Sequence, residues 1–183
     1  DVVTVTTTDG ELKARAVLLA TGSDYKRLGV AGETEYFGRG VHFCATCDGA
    51  FYRDKKLVVV GGGNSAVQEA MFLTRFASHI DLLVRGSEFR ASDVLVSELE
   101  NHKDKITVHM NTTTDEIVGK DGKVVSVSGT DVLTSEKLSF ETDGVFVFVG
   151  LKPNTQFLAQ SGIELDEIGF IKTNHELETN LPG

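Results

Sequence analysis

Lys56-Leu57-Val58-Val59-Val60-Gly61-Gly62-Gly63-Asn64-Ser65-Ala66 decides the fold. A short apolar run stops at three glycines, and a helical period begins at once. Ala66, Ala70, Leu73 and Ala77 fall on a single stripe, with Met71 and Phe72 as core side chains beside it. The pattern predicts a strand over 56–60 and a helix over about 65–77. Gly61 permits the tight turn, Gly63 lets the backbone approach a pyrophosphate, and small Ala66 lets helix and strand pack closely. The free N–H groups of the helix N-terminus then face the phosphate. Gly61, Gly62, Gly63, Asn64, Ser65 and Ala66 are therefore the candidate dinucleotide-binding residues, a plain tight βα turn being the alternative.

Working outward, Ile80 to Val84 reads as the next strand, and Arg85 and Arg90 follow it. An acid at that point would bond the 2′-hydroxyl of NAD, whereas an arginine accommodates the extra phosphate of NADP. Two surface arginines without that role are the alternative. Ser92 is a good N-cap for a helix over about 93–102, with Leu95 and Leu99 on one face. Lys105 to Met110 is a further strand. Residues 114–119, 123–128 and 136–141 read as a three-stranded meander turning at Asp121-Gly122, and Gly144 to Gly150 as a buried strand stopping at glycine.

Upstream, residues 2–7 alternate valine and threonine, Asp9-Gly10 is a hairpin signal, and 11–15 is the return strand. Ala16-Val17-Leu18-Leu19-Ala20 reads as a strand buried on both faces, stopping at Thr21-Gly22. Residues 23–43 are irregular, with glycines at 29, 32, 38 and 40, and cross from one body to another. The order hairpin, apolar strand, glycine thus occurs twice, in 2–22 and in 123–150. Only the second copy is preceded by a βαβ unit. An upstream βαβ unit outside this sequence is the expectation, and the tail agrees: 151–183 reads as a crossover, a weak hairpin through Asp166–Phe170 and a stop at Leu181-Pro182-Gly183.

Cys44-Ala45-Thr46-Cys47-Asp48 holds both cysteines of the chain. The spacing lets the pair close and reopen a small disulfide ring, with the thiolate as attacking species. Asp48 could take up or return the proton that exchange requires. Zinc is one rival reading, since His42, Cys44 and Cys47 are three possible ligands, but a closed structural site needs four and no second such pair is present. Two inert buried thiols are another. A structural disulfide is disfavoured, because an isolated pair in a chain without signs of export is more often catalytic.

The chain has 183 residues, enough for one or two domains with a sizeable core. Hydrophobic residues make up 40%, charged residues 25%, and the net charge is −9. That balance argues against a nucleic-acid partner, which calls for clustered lysine and arginine. No apolar run approaches the length of a membrane span and no targeting signal stands out, so no membrane partner and a cytoplasmic location are expected. No metal is expected.

With both motifs placed, the sequence resembles the low-molecular-weight thioredoxin reductases, FAD- and NADPH-dependent enzymes of the pyridine nucleotide-disulfide oxidoreductase class. The matching stretches are Ala20-Thr21-Gly22, Gly38 through Gly49, Gly61 to Ala66, Phe89-Arg90-Ala91, and Val149-Gly150 followed by Pro153-Asn154-Thr155. They span nearly the whole chain in the family's order.

The resemblance implies an α/β, Rossmann-like FAD/NAD(P)-binding fold, a parallel βαβ sheet plus a β-meander, with terminal strands from a second dinucleotide domain. Residues 1–26 and 152–183 would belong to the FAD domain and 27–151 to the NADPH domain. Electrons would pass from NADPH to FAD, to the Cys44–Cys47 disulfide, then to thioredoxin. Cys47 would face the flavin, Cys44 would attack thioredoxin, and Asp48 would be the acid/base. Thr21, Gly22, Val149 and Gly150 join the cofactor-binding candidates on this ground. The domains would rotate about crossovers near 22–28 and 150–154, and the enzyme would be a homodimer. The family commonly has His-Arg-Arg, three residues, then Arg around the 2′-phosphate. Here Val84-Arg85-Gly86 and then Arg90 lose two of those positions, which relaxes the expected NADPH preference. The FAD-binding glycine loop and the C-terminal Gly-Asp flavin contact do not occur within 1–183, so flavin binding by this chain alone is not expected. An isolated NAD(P)-binding module, and a related disulfide reductase or dithiol oxidase with another partner, are the alternative functions.

Overall fold

The structure is a computed structural model, and it describes residues 2–183. The chain divides into two compact units, 1–24 with 151–183, and 25–150.

In the larger unit, β4 (Val41–His42) leads into the short helix α1 (Ala45–Asp48) and a 3-10 turn over Gly49–Tyr52. Then come β5 (Lys56–Val60), α2 (Asn64–Leu73), β6 (His79–Leu83), α3 (Asp93–Leu99) and β7 (Ile106–His109). The meander follows as β8 (Thr112–Lys120), β9 (Lys123–Asp131) and β10 (Lys137–Glu141), and β11 (Gly144–Val147) returns to the sheet. The five-stranded parallel sheet runs β4-β11-β5-β6-β7, and the meander forms its own antiparallel sheet, β10-β9-β8.

The near-continuous apolar strands follow from covering the parallel sheet on both faces. Leu57, Val59, Ile80, Leu82 and Phe146 pack with Ala66, Ala70 and Leu73 of α2 and with Ala77 beyond its end. Their neighbours Val58, Val60, Leu83, Val145 and Val147 pack with Ile117, Val124, Val127 and Phe140 of the meander. Alternation along each strand thus feeds two cores. Truncating fully buried Leu73 to alanine would cost roughly 2–5 kcal/mol.

α2 ends earlier than its periodicity suggests. The N–H and Oγ1 of Thr74 both bond to the Met71 carbonyl, at 3.2 and 2.6 Å, and this tightened turn closes the helix at Leu73. α3 gives way to a 3-10 turn over Glu100–His102. Ser92 occupies its N-cap position without a side-chain cap bond, and its N–H instead reaches Asn64 Oδ1 at 2.8 Å.

In the smaller unit, β1 (Val3–Thr7) and β2 (Gly10–Ala14) form the expected hairpin, and β12 (Leu151–Pro153) pairs with β3 (Ser23–Tyr25). The turn at 166–170 closes through Asp166 N–H to Phe170 O at 2.8 Å, with a bridge between Leu165 and Ile171. The expectation of a buried strand over 16–20 is corrected. These residues lie in no strand and Leu18 is 89% exposed. A doubly buried strand needs a neighbour along each edge. Here the stretch makes one backbone bond among the described residues, Val17 N–H to Gly183 O at 2.7 Å.

Candidate active site

The Cys pair sits where β4 runs into α1. Cys44, in extended conformation, is the N-cap, and its Sγ accepts the N–H of Cys47 at 3.2 Å. The two sulfurs are bonded to each other, across Cα atoms 5.3 Å apart. Cys44 is half-buried and Cys47 exposed, so the disulfide is open to a reactant.

Asp48 ends α1 with its side chain 31% exposed, and its Oδ2 lies 3.0 Å from His42 Nδ1. His42 Nε2 lies 2.7 Å from the Tyr52 hydroxyl. The His42 ring stacks on Phe146 at 5.2 Å, and Tyr52 meets both rings edge-on. Burial, and then the charges of Asp48 and Asp143, push the Tyr52 phenol up to about 12. His42, weighed from sequence as a zinc ligand, directs its two ring nitrogens to Asp48 and Tyr52. Nothing in the spacing of Tyr52 signals that role.

The glycine turn opens onto a cavity of about 680 Å³ in the same unit. Gly61, Gly62, Arg85, Arg90 and Val149 line it. So do Lys26, Arg27, Glu88 and Thr112–Thr114, which sequence reasoning missed. Four of its side chains are cationic and one is acidic, which suits an anionic ligand. The Arg27 guanidinium lies over the Phe37 and Phe43 rings, at 4.3 and 4.5 Å. Lys26-Arg27, two adjacent cations inside a glycine-rich stretch, was the available signal.

The three glycines answer to different demands. A Cβ at Gly61, where φ is +144°, would meet Phe148 O at 2.3 Å and the Ala66 Cβ at 2.8 Å. At Gly62 it would meet Val84 Cγ1 at 2.7 Å. At Gly63 it would meet nothing within 4 Å. The protein itself therefore does not require glycine at 63, and a ligand approaching the backbone there would. Gly63 is the N-cap of α2 and supplies no side-chain cap bond, which leaves the first-turn N–H groups to a phosphate. Asn64 holds Ser92, Ser65 is exposed in the first turn, and Ala66 is fully buried against Gly61. Gly150 sits at φ +111° and accepts the Lys26 N–H at 3.0 Å. These residues fit a nicotinamide dinucleotide.

Thr21 and Gly22 belong to the smaller unit and are exposed. Their carbonyls accept the Asn154 side-chain and backbone N–H at 3.3 and 3.0 Å. Those groups satisfy a neighbour rather than frame a cradle, so the residues present do not by themselves fit a flavin. Among the described residues no helix is long and apolar enough to cross a membrane.

Known proteins resemble the chain along its length. It is 45% identical to the thioredoxin reductase of Bacillus subtilis (strain 168), over 94% of this chain and 54% of that protein. It is 43% identical to the thioredoxin reductase of Listeria innocua, over 98% of this chain and 56% of that protein. The crystal structure of Lactococcus lactis thioredoxin reductase superposes with a TM-score of 0.85 at 38% identity, covering all of this chain and 60% of that one. The chain spans about half the length of the curated relatives it matches. A glycine turn on a parallel sheet, a dithiol in the same unit, and a match to one family across residues 1–183 agree: the chain belongs to the pyridine nucleotide-disulphide oxidoreductase family.

Proposed function

We propose that this chain carries the NADPH site and the redox dithiol of a flavoprotein thioredoxin-disulfide reductase. The supporting observation is that the Cys44–Cys47 disulfide and the cationic glycine-turn cavity belong to one compact unit. In this reading 27–151 is the NADPH domain, and 1–26 and 152–183 are parts of a FAD domain. Gly61–Ala66 bind the pyrophosphate, and Arg85 and Arg90 the 2′-phosphate. When bound, the nicotinamide supplies the hydride whose electron pair ends on the disulfide. No step is assigned to a flavin, because the residues present do not frame one.

Once reduced, Cys44 attacks the thioredoxin disulfide, and the Cys47 N–H directed at its sulfur favours the thiolate. Cys47 then displaces the reduced partner, while Asp48 takes up and returns a proton. A cytoplasmic homodimer belongs to the same reading. The test is to reduce the chain chemically, remove the reductant and add oxidised thioredoxin. One thioredoxin dithiol should form per Cys44–Cys47 disulfide closed. No exchange with thioredoxin, together with fast exchange on a low-molecular-weight disulfide, would assign the site to another partner.

A further inference from the structure

We propose that His42 is a positioning residue for the proton chemistry of the dithiol, orienting the Asp48 carboxylate through a hydrogen bond that the Tyr52 hydroxyl locks into one tautomer. The inference rests on the reading of Asp48 as acid/base given above.

His42 is 7% exposed, on a two-residue strand paired in parallel with β11. A buried imidazole needs partners for both nitrogens. Asp48 stands 3.0 Å from Nδ1 and the Tyr52 hydroxyl 2.7 Å from Nε2. An ionised carboxylate only accepts, so Nδ1 carries the ring proton and Nε2 accepts the phenol's hydrogen. The phenol stays protonated because burial opposes its anion. The titratable groups facing the ring are Asp48 from α1 and Tyr52 from the following turn. β11 offers Phe146, and Asp143 adds a charge felt at the phenol.

The ring cannot turn away, since it is stacked on Phe146 and edged by Tyr52. Asp48 Oδ2 is thereby committed, and Oδ1 is left to serve the adjacent Cys47. In the exchange the Cys44 proton goes to solvent. The Cys44 thiolate attacks one sulfur of a dialkyl disulfide, and the other sulfur leaves as a thiolate and takes a proton back. Cys47 gives its proton to Asp48 and attacks Cys44. The second thiolate leaves with the proton from Asp48. Two thiols of the chain become a disulfide, the partner disulfide becomes two thiols, and Asp48 ends as it began.

The experiment follows closure of the disulfide in the chemically reduced chain with cystamine as the dialkyl disulfide. Asp48→Asn should slow exchange about tenfold or more, within the range of a positioned proton-transfer group. His42→Phe should slow it about tenfold and add nothing in the Asp48→Asn background. His42→Asn, which still offers an N–H to Asp48, should stay within about threefold of the parent chain. A packing role gives the opposite order, with Phe tolerated for its ring and Asn not, and that order overturns the proposal. An unchanged rate in Asp48→Asn overturns the acid/base reading and this inference with it. A slow Asp48→Asn beside a fast His42→Phe overturns this inference alone. Should His42→Phe not fold, nitrogen NMR of the unsubstituted chain decides. A protonated Nδ1 with a bare Nε2 supports the proposal, and the reverse tautomer contradicts it.

Discussion

The backbone N–H of Arg90 donates to the carbonyl oxygen of Gly62 at 2.7 Å. The loop after β6 is thereby tied to the glycine turn, and Arg90 lines the same cavity as Arg85 and Gly62. The bond that shapes the glycine turn, proposed to hold the pyrophosphate, thus also places the cation proposed to read the 2′-phosphate.

Arg85→Ala and Arg90→Ala should each weaken NADPH about ten- to hundredfold, the scale of a lost charge-assisted hydrogen bond. NADH, without the phosphate, should be nearly unaffected. Calorimetric titration with both nucleotides checks this, and an equal loss for the two contradicts the assigned role.

Gly61→Ala and Gly63→Ala should fail in different ways. The first drives a Cβ into Phe148 O and Ala66 and should destabilise the chain by about 1–3 kcal/mol in denaturant melts. The second meets open space and should stay within about 0.5 kcal/mol of the parent. Its cost should appear instead as about a tenfold loss of NADPH affinity, or ~1.4 kcal/mol.

Cys47→Ser should trap thioredoxin as a stable mixed disulfide through Cys44, because the resolving thiol is gone. Cys44→Ser should trap none. Non-reducing gels of the two variants after incubation with oxidised thioredoxin check the assignment, and reversed behaviour exchanges the two roles.

Burial raises the folded pKa of Tyr52 to about 12, above the ordinary phenol value of 10.0. Between those values the folded chain holds a proton that the unfolded chain has released. The stability contribution is full below about pH 10 and is lost as pH rises toward about 12. Alkaline melts of the chain should show that loss, and Tyr52→Phe should remove this part of it.

The sequence makes β5, α2 and β6 legible because one local pattern encodes them: an apolar run, three glycines, and the stripe from Ala66 to Ala77. The pairing of Cys44 with Cys47 is legible for the same reason of proximity. The rest of the cavity lining is not. Lys26, Arg27 and Thr112–Thr114 come from distant segments tied in by long-range backbone bonds, Lys26 N–H to Gly150 O and Thr112 N–H to Val84 O, and no local period records such bonds. Residues 16–20 mislead for a related reason. Their composition reports a preference for burial, but burial depends on partner strands that the run itself does not specify. His42 presents two nitrogens at a spacing that suits a metal as well as a hydrogen-bond chain. Only the positions of Asp48 and Tyr52 separate those readings.

The most direct test of the account is a calorimetric titration of the purified, folded chain with NADPH and, separately, NADH. The account predicts saturable binding of NADPH and weaker binding of NADH. No binding of either nucleotide, by a chain whose circular dichroism shows it folded, would contradict the assignment of Gly61–Ala66 and with it the proposed function.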